Sequence, residues 1–160
     1  MRLNKKIISM IIVILIILTS FSILAEENEK QYEIKEFILQ IYRDYQDQNF
    51  EFVYEKMHPD IKTLLDKDKY IKFQKANTEK YSIEISKVEV IEVNEIKEWP
   101  EPFIEIIKSK ENYKLYEIKI KYLSTYQSSG SEQEKTIEKN SYVVENSSGK
   151  YLLWNPEIID

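Results

Sequence analysis

Apolar residues in this chain recur with one period up to about residue 73 and with another from residue 81 onward. That change constrains the fold more than any other feature. Ile34, Phe37, Ile38, Ile41, Tyr42 and Tyr45 fall at i, i+3, i+4, i+7, i+8 and i+11, one apolar face of an amphipathic helix. Asn28 is positioned to cap that helix, with Gln31 three residues on. Asn49 is expected to cap a second, shorter helix with the face Phe50, Val53, Tyr54 and Met57. Pro59 ends it, because the residue before a proline is pushed out of the α region. Asp60 restarts a turn carrying Ile61, Leu64 and Leu65, and Asp66 or Asp68 caps a further helix with Tyr70, Ile71 and Phe73.

From Tyr81 the period becomes two. Tyr81, Ile83 and Ile85 point one way, and Val88 and Val90 are out of phase with them. A phase slip inside a strand predicts a β-bulge, which bends and twists the sheet. Ile96 to Pro102, with Trp99-Pro100-Glu101-Pro102, reads as a loop. Tyr116, Ile118, Ile120 and Tyr122 then alternate with Glu117, Lys119 and Lys121, a strand with one buried and one wet face. Gln127 to Glu134 reads as a hairpin loop and Thr136 to Glu145 as the returning strand. Asn146-Ser147-Ser148-Gly149 is a turn and Tyr151 to Trp154 the last strand. Helices first and a bent antiparallel sheet afterwards make an α+β domain, with the helices packed into the concave face.

Charge and residue usage narrow the function classes. The 160 residues include 28 acidic and 23 basic side chains, net −5, and no cysteine. Three of the cations precede residue 7, so the remainder carries −8. Such a domain repels phosphate backbones, which makes nucleic acid an unsuitable partner, and it does not dock electrostatically on anionic lipid. Without cysteine there is no thiol catalysis, no Cys-ligated zinc and no lipid-modified anchor.

Those three cations, Arg2, Lys5 and Lys6, precede an apolar run from Ile7 to Leu18 broken only by Ser9. Hydrophobicity then steps down to Ala25. This is the layout of a secretory signal peptide cleaved after Ala25, and residues 7–24 are also long enough to serve as a retained membrane anchor. Residues 1–25 are therefore read as signal or anchor, and residues 26–160 as one domain. The positive-inside rule puts that domain outside the cytoplasm, secreted if cleaved and tethered if not. Membrane contact is expected only through residues 7–24.

The order of elements resembles a known family. A long helix over Phe37 to Tyr42, a short one from Asn49, His58-Pro59-Asp60, and a helix over Asp66 to Phe73 lead into long antiparallel strands. The chain closes with Tyr151-Leu152-Leu153-Trp154-Asn155-Pro156. This resembles the nuclear transport factor two-like fold, in the small form found in exported Gram-positive proteins, including the non-catalytic N-terminal domain of some penicillin-binding proteins. The resemblance runs from about Lys30 to the C-terminus. It implies a cone-shaped domain with an accessory or binding role and no enzyme activity of its own.

Few residues carry chemistry. Ser147-Ser148-Gly149-Lys150 has Ser-x-x-Lys spacing, but that motif acts at a helix start, whereas here it falls in a turn. His58 is the only histidine and thus the alternative catalytic candidate, for proton transfer in a cone pocket. Its place before a helix-ending proline predicts an exposed or capping side chain near a helix C-terminus. One histidine and no cysteine leave no histidine-based metal site, and Asp66-Lys67-Asp68 lacks the calcium-loop glycine. No cofactor is expected. Most tyrosines stand at core-phase positions. Trp99 does not: with its flanking prolines it is expected on an exposed rim, and with Phe103 it is the candidate partner-binding pair. Three functions compete: an exported binding domain for a protein, peptide or cell-wall component, a small proton-transfer enzyme, and a module that pairs two copies into a homodimer. The first is the expectation.

Overall fold

The computed structural model describes residues 27–128 and 130–159. The expected export segment, residues 1–25, lies outside them. None of the helices among the described residues is long and apolar enough to cross a membrane. The chain divides into two compact units, residues 1–33 and 34–160. The described part of the first, residues 27–33, is helical and carries a Lys30–Glu33 ion pair of 3.0 Å. Asn28 lies inside this helical stretch, so it is not the cap that its spacing to Gln31 suggested.

The second unit opens with helix α1 (34–46), followed by α2 (Phe50–Glu55), α3 (Pro59–Leu64) and α4 (Lys67–Tyr81). Strand β1 (Glu84–Ile96) comes next, then the short helix α5 (Phe103–Ile106) and a 3₁₀ turn (Lys110–Asn112). Strands β2 (Lys114–Ser128), β3 (Ser131–Asn146) and β4 (Gly149–Leu153) follow, and a 3₁₀ turn (Pro156–Ile159) ends the described chain. The four strands form one open antiparallel sheet in the order β1-β2-β3-β4. The unit is α+β, with its helices packed on the sheet.

Most periodic segments behave as their spacing requires, although Leu64 of α3, read with Ile61 and Leu65 as one apolar set, is 62% exposed. Ile34, Ile38, Ile41 and Tyr42 of α1 are buried, as are Tyr116, Ile118, Ile120 and Tyr122 of β2. Asp66 caps α4 by accepting from the Lys69 N–H at 2.9 Å. Asn49 occupies the cap position of α2 without bonding the helix. Its side-chain amide donates to Asp44 Oδ1 instead, at 2.9 Å. The phase slip before Val88 is a register shift between Ser86 and Glu89, with Lys87 at φ 49°. A second shift separates Val90 from Glu92.

Two segments depart from expectation, and a third carries structure where none was assigned. Tyr81 belongs to the end of α4, which stops at Ser82 in the left-handed conformation (φ 47°). Residues 127–134 are mostly strand, not loop: β2 and β3 stay paired down to Ser128 opposite Ser131. The stretch between the prolines and β2 holds α5, whose Phe103 and following Ile107 are buried in the core.

One connection ties the beginning of this unit to its end. Met57 bridges Leu152 in parallel, with the His58 N–H donating to the Leu152 carbonyl (3.0 Å) and the Leu152 N–H to that of Lys56 (2.7 Å). The short segment between α2 and α3 thereby covers the outer edge of β4.

Candidate functional site

Tyrosine spacing along α1 places Tyr42 and Tyr45 on the same face as Ile38 and Ile41, toward the sheet. There the helices do not fill the space completely. A cavity of about 370 Å³ remains, bounded by these residues, Val53, Tyr70, Phe103, Tyr122, Leu152, Leu153 and Trp154, with Lys139 and Glu101 also on its boundary. Its walls are rings in tilted or edge contact: Tyr42 with Tyr122 at 5.6 Å, Tyr70 with Trp154 at 5.2 Å, and Phe103 with Tyr142 at 6.1 Å between centres. Such contacts fix ring orientation beyond what burial alone does.

The polar groups of this cavity are mainly neutral hydroxyls, joined by Glu101, Lys139, Asn140 and Asn155. Burial pushes the Tyr42 hydroxyl up to about 12 against a smaller opposing effect of its bond with Ser141. Burial, with the neighbouring Tyr122 and Tyr42, does the same to Tyr45, also about 12. Tyr70 and Tyr122 are raised by burial too. All four therefore stay protonated near neutral pH and keep a hydrogen to donate. Tyr45 donates to Gln74 Oε1 at 2.5 Å. The Tyr70 hydroxyl lies near the same amide, but makes no hydrogen bond of good geometry with it. The one cation is Lys139, whose Nζ sits 5.6 Å from the Tyr42 ring centre and 5.7 Å from that of Tyr122. A site of this make-up holds an apolar body by contact and dispersion, and meets a polar group with hydroxyl donors, one ammonium and one carboxylate.

His58 lies elsewhere, and it is not exposed. Pro59 opens α3 as its first residue, so His58 is the N-cap of the next helix instead of a neighbour to the end of the last. Its Nδ1 accepts from the Asp60 N–H at 3.1 Å, which leaves the proton of the neutral ring on Nε2. The ring is buried (2% exposed) between Tyr113 and Tyr151, at 4.9 and 5.7 Å. Asp60 Oδ2 is 3.9 Å from Nδ1 and itself accepts from the Lys108 N–H at 2.9 Å. Burial holds the imidazole below its ordinary value, against the pull of the Asp60 carboxylate and with a smaller push from Lys62. The positive end of α3 acts in the same sense, since an N-terminus favours an uncharged acceptor over a cation. His58 is not among the residues that bound the cavity.

The remaining candidates separate. Phe103 is buried and forms part of the cavity wall. Trp99 is half-buried instead of standing on an exposed rim, because its indole packs against the core. It lines a shallow groove with Ile96, Glu117 and Tyr142, with Lys110 Nζ 5.8 Å from its ring centre. Ser147 and Ser148 are exposed in the β3–β4 turn, where Asn146 Oδ1 accepts from the N–H groups of Ser148 and Gly149. Among the described residues no cluster of His, Asp and Glu could hold a metal ion. Sequence reasoning missed the cavity itself, since tyrosines at core-phase positions look the same whether they meet or leave space. The chain matches no protein-family model and no curated protein.

Proposed function

We propose that this domain is a non-catalytic binding module, carried outside the cytoplasm by residues 1–25, and that its ligand enters the tyrosine-walled cavity. On this reading the helices and sheet form a nuclear transport factor two-like cone whose interior is left partly hollow. The observation that carries it is the cavity's composition. About 370 Å³ of space is enclosed largely by aromatic and aliphatic side chains, with protonated hydroxyls, Lys139, Glu101, Asn140 and Asn155 as its polar groups. That volume lies within the range of small-ligand sites, which combine an apolar lining with a few convergent polar groups. The ligand class is an apolar or aromatic group bearing a hydrogen-bond acceptor, such as a peptide side chain or a fragment of cell-wall material. Trp154 provides the test. With Trp99→Phe it becomes the sole indole, and N-acetylated aromatic amino-acid amides titrated into that variant are expected to change its emission saturably. No response from aromatic or aliphatic probes, at concentrations up to their solubility, would remove this reading.

A second reading has one observation in its favour. His58 is a buried base held neutral, with a carboxylate 3.9 Å away and two tyrosine rings against it, the kind of environment that tunes proton-transfer groups. Its weakness is geometric, because Nδ1 is already committed to the Asp60 N–H and the ring is not on the cavity wall. Exchange of the ring proton too slow to be speeded by added buffer acids would argue against any substrate reaching it.

A further inference from the structure

Strand β3 is longer than the strand that covers it. Sixteen residues, Ser131–Asn146, pair with β2 along their whole length, whereas β4 pairs only with residues 142–146. Two turns fix which way each main-chain group points. Ser128 faces Ser131 and Asn146 faces Gly149 across two-residue loops, and the pair closing such a loop exchanges both hydrogen bonds. Odd-numbered residues of β3 from 131 therefore bond β2, and even-numbered residues turn the other way. At 142, 144 and 146 they meet β4. At Glu132, Glu134, Thr136, Glu138 and Asn140 they meet nothing among the described residues.

The same register gives the side chains of this open stretch their faces. Lys139 and Ile137 oppose the buried Ile120 and Tyr122 and so lie on the helix side. Glu132, Glu134, Thr136, Glu138 and Asn140 lie on the outer face. Across that face charge alternates from strand to strand: Glu89 stands opposite Lys121, which stands opposite Glu138, and Glu92 opposite Lys119, which stands opposite Asn140. Glu138 also has Lys119 Nζ at 3.8 Å. The outermost row is thus acidic, and a strand added beyond it continues the alternation only by bringing lysine or arginine.

We propose that residues 132–140 of β3 are a strand-addition site for an extended peptide with basic side chains at alternate positions. Main-chain bonds to the even-numbered residues provide affinity, and cross-strand pairs with Glu132, Glu134 and Glu138 provide selectivity. A second copy of this chain fits less well. Antiparallel self-pairing about Glu134, Thr136 or Glu138 sets glutamate against glutamate, and pairing about Ile137 sets Glu138 against Thr136 and Glu134 against Asn140, which supplies neither glutamate with an opposite charge. Charge guards this edge, with Glu132, Glu134 and Glu138 on its outer face and Lys135 and Lys139 on its inner one, which resists a chance strand and leaves a matched basic peptide as the fitting partner. The site meets the cavity only at Lys139 and Asn140, and it is tested on the main chain of residues 132–138, so it stands or falls independently of the binding function proposed above.

The test uses the isotope-labelled full-length protein and a peptide alternating lysine and valine, long enough to span residues 132–140. Saturable binding is expected, with amide exchange slowed at Glu132, Glu134, Thr136 and Glu138. A glutamate–valine analogue is expected to bind about tenfold more weakly, as a few reversed cross-strand charge pairs imply. Methylating alternate peptide nitrogens removes the main-chain donors without touching the protein, and is expected to abolish binding. Thr136→Pro does the same from the other side, since that N–H takes no part in the β2–β3 ladder. The proposal is overturned if the lysine peptide does not bind, if it binds without protecting those amides, or if the glutamate or methylated peptides bind equally well. Self-association abolished by Thr136→Pro would likewise overturn it, by identifying a second copy as the occupant.

Discussion

The two halves of β3 face different neighbours, and their sequences differ accordingly. Residues 142–146 lie between β2 and β4, and there Val143 and Val144 are both buried. Residues 131–140 have a strand on one side only, and all but Ile137 are exposed. One strand thus passes from a sheet interior to a sheet margin without a break in its pairing to β2. What changes along it is the number of neighbours, and side-chain chemistry follows that number rather than the backbone conformation. Strand propensity is largely a measure of fit to such neighbours.

Mutations at the two ends are expected to differ most. Ile118→Ala, at a fully buried site of β2 next to the closed end, is expected to cost ~2–5 kcal/mol in chemical denaturation. Thr136→Pro, at the open end, is expected to cost within about 1 kcal/mol, because its N–H is not in the ladder. Equal losses at both positions would break the comparison. Near the closed end, Trp99 packs against the core and lines a groove with Ile96 and Tyr142. Replacing it with Ala is expected to cost about 1–2 kcal/mol, as for a half-buried aromatic, and a change near zero would return it to the exposed rim.

The smallest effect is expected from acid. His58 is held below its ordinary value in the folded protein, so the unfolded chain binds its proton first. The stability this gives is complete above the unfolded value of about 6.5 and is lost as the pH falls below it, toward the lower folded value. Denaturation midpoints compared at neutral and mildly acidic pH are expected to fall further for the native chain than for His58→Asn, a variant that can still cap α3. The slope should not change in Thr136→Pro, whose site is remote from the buried ring. Identical slopes for the native and His58→Asn proteins would show that the ring charges freely in place.

The closed end was the more legible. α1 and β2 are readable because each shows a burial period unmixed with other demands, and the bulge before Val88 is visible as a slip in that period. The open end is not, since Ser131-Glu132-Gln133-Glu134 offers no alternation to distinguish a strand from a loop. α5 escaped for the opposite reason: Pro100 and Pro102 punctuate the segment strongly enough to hide a single helical turn behind them. His58 was misjudged because its burial depends on contacts remote in sequence. Tyr113 and Tyr151 enclose the ring, and Leu152 fixes the backbone beside it. A helix read alone predicts its caps, but not which strand will arrive to cover them. The cavity has the same origin, since it is what remains between elements that are each well formed.

The bridge between Met57 and Leu152 has a kinetic consequence. A ribosome releases α2 and α3 long before β4 exists, so the segment joining those helices waits for its partner until the other three strands have been made. Contacts this distant in sequence slow the search for the native topology, because the intervening loop must be closed before they repay its entropy. Commitment to the folded state therefore depends on the last strand. A chain interrupted before Gly149 would keep its helical periodicity and its long hairpin, yet lack the clasp that joins them, and would present to chaperones and proteases as an unfinished protein.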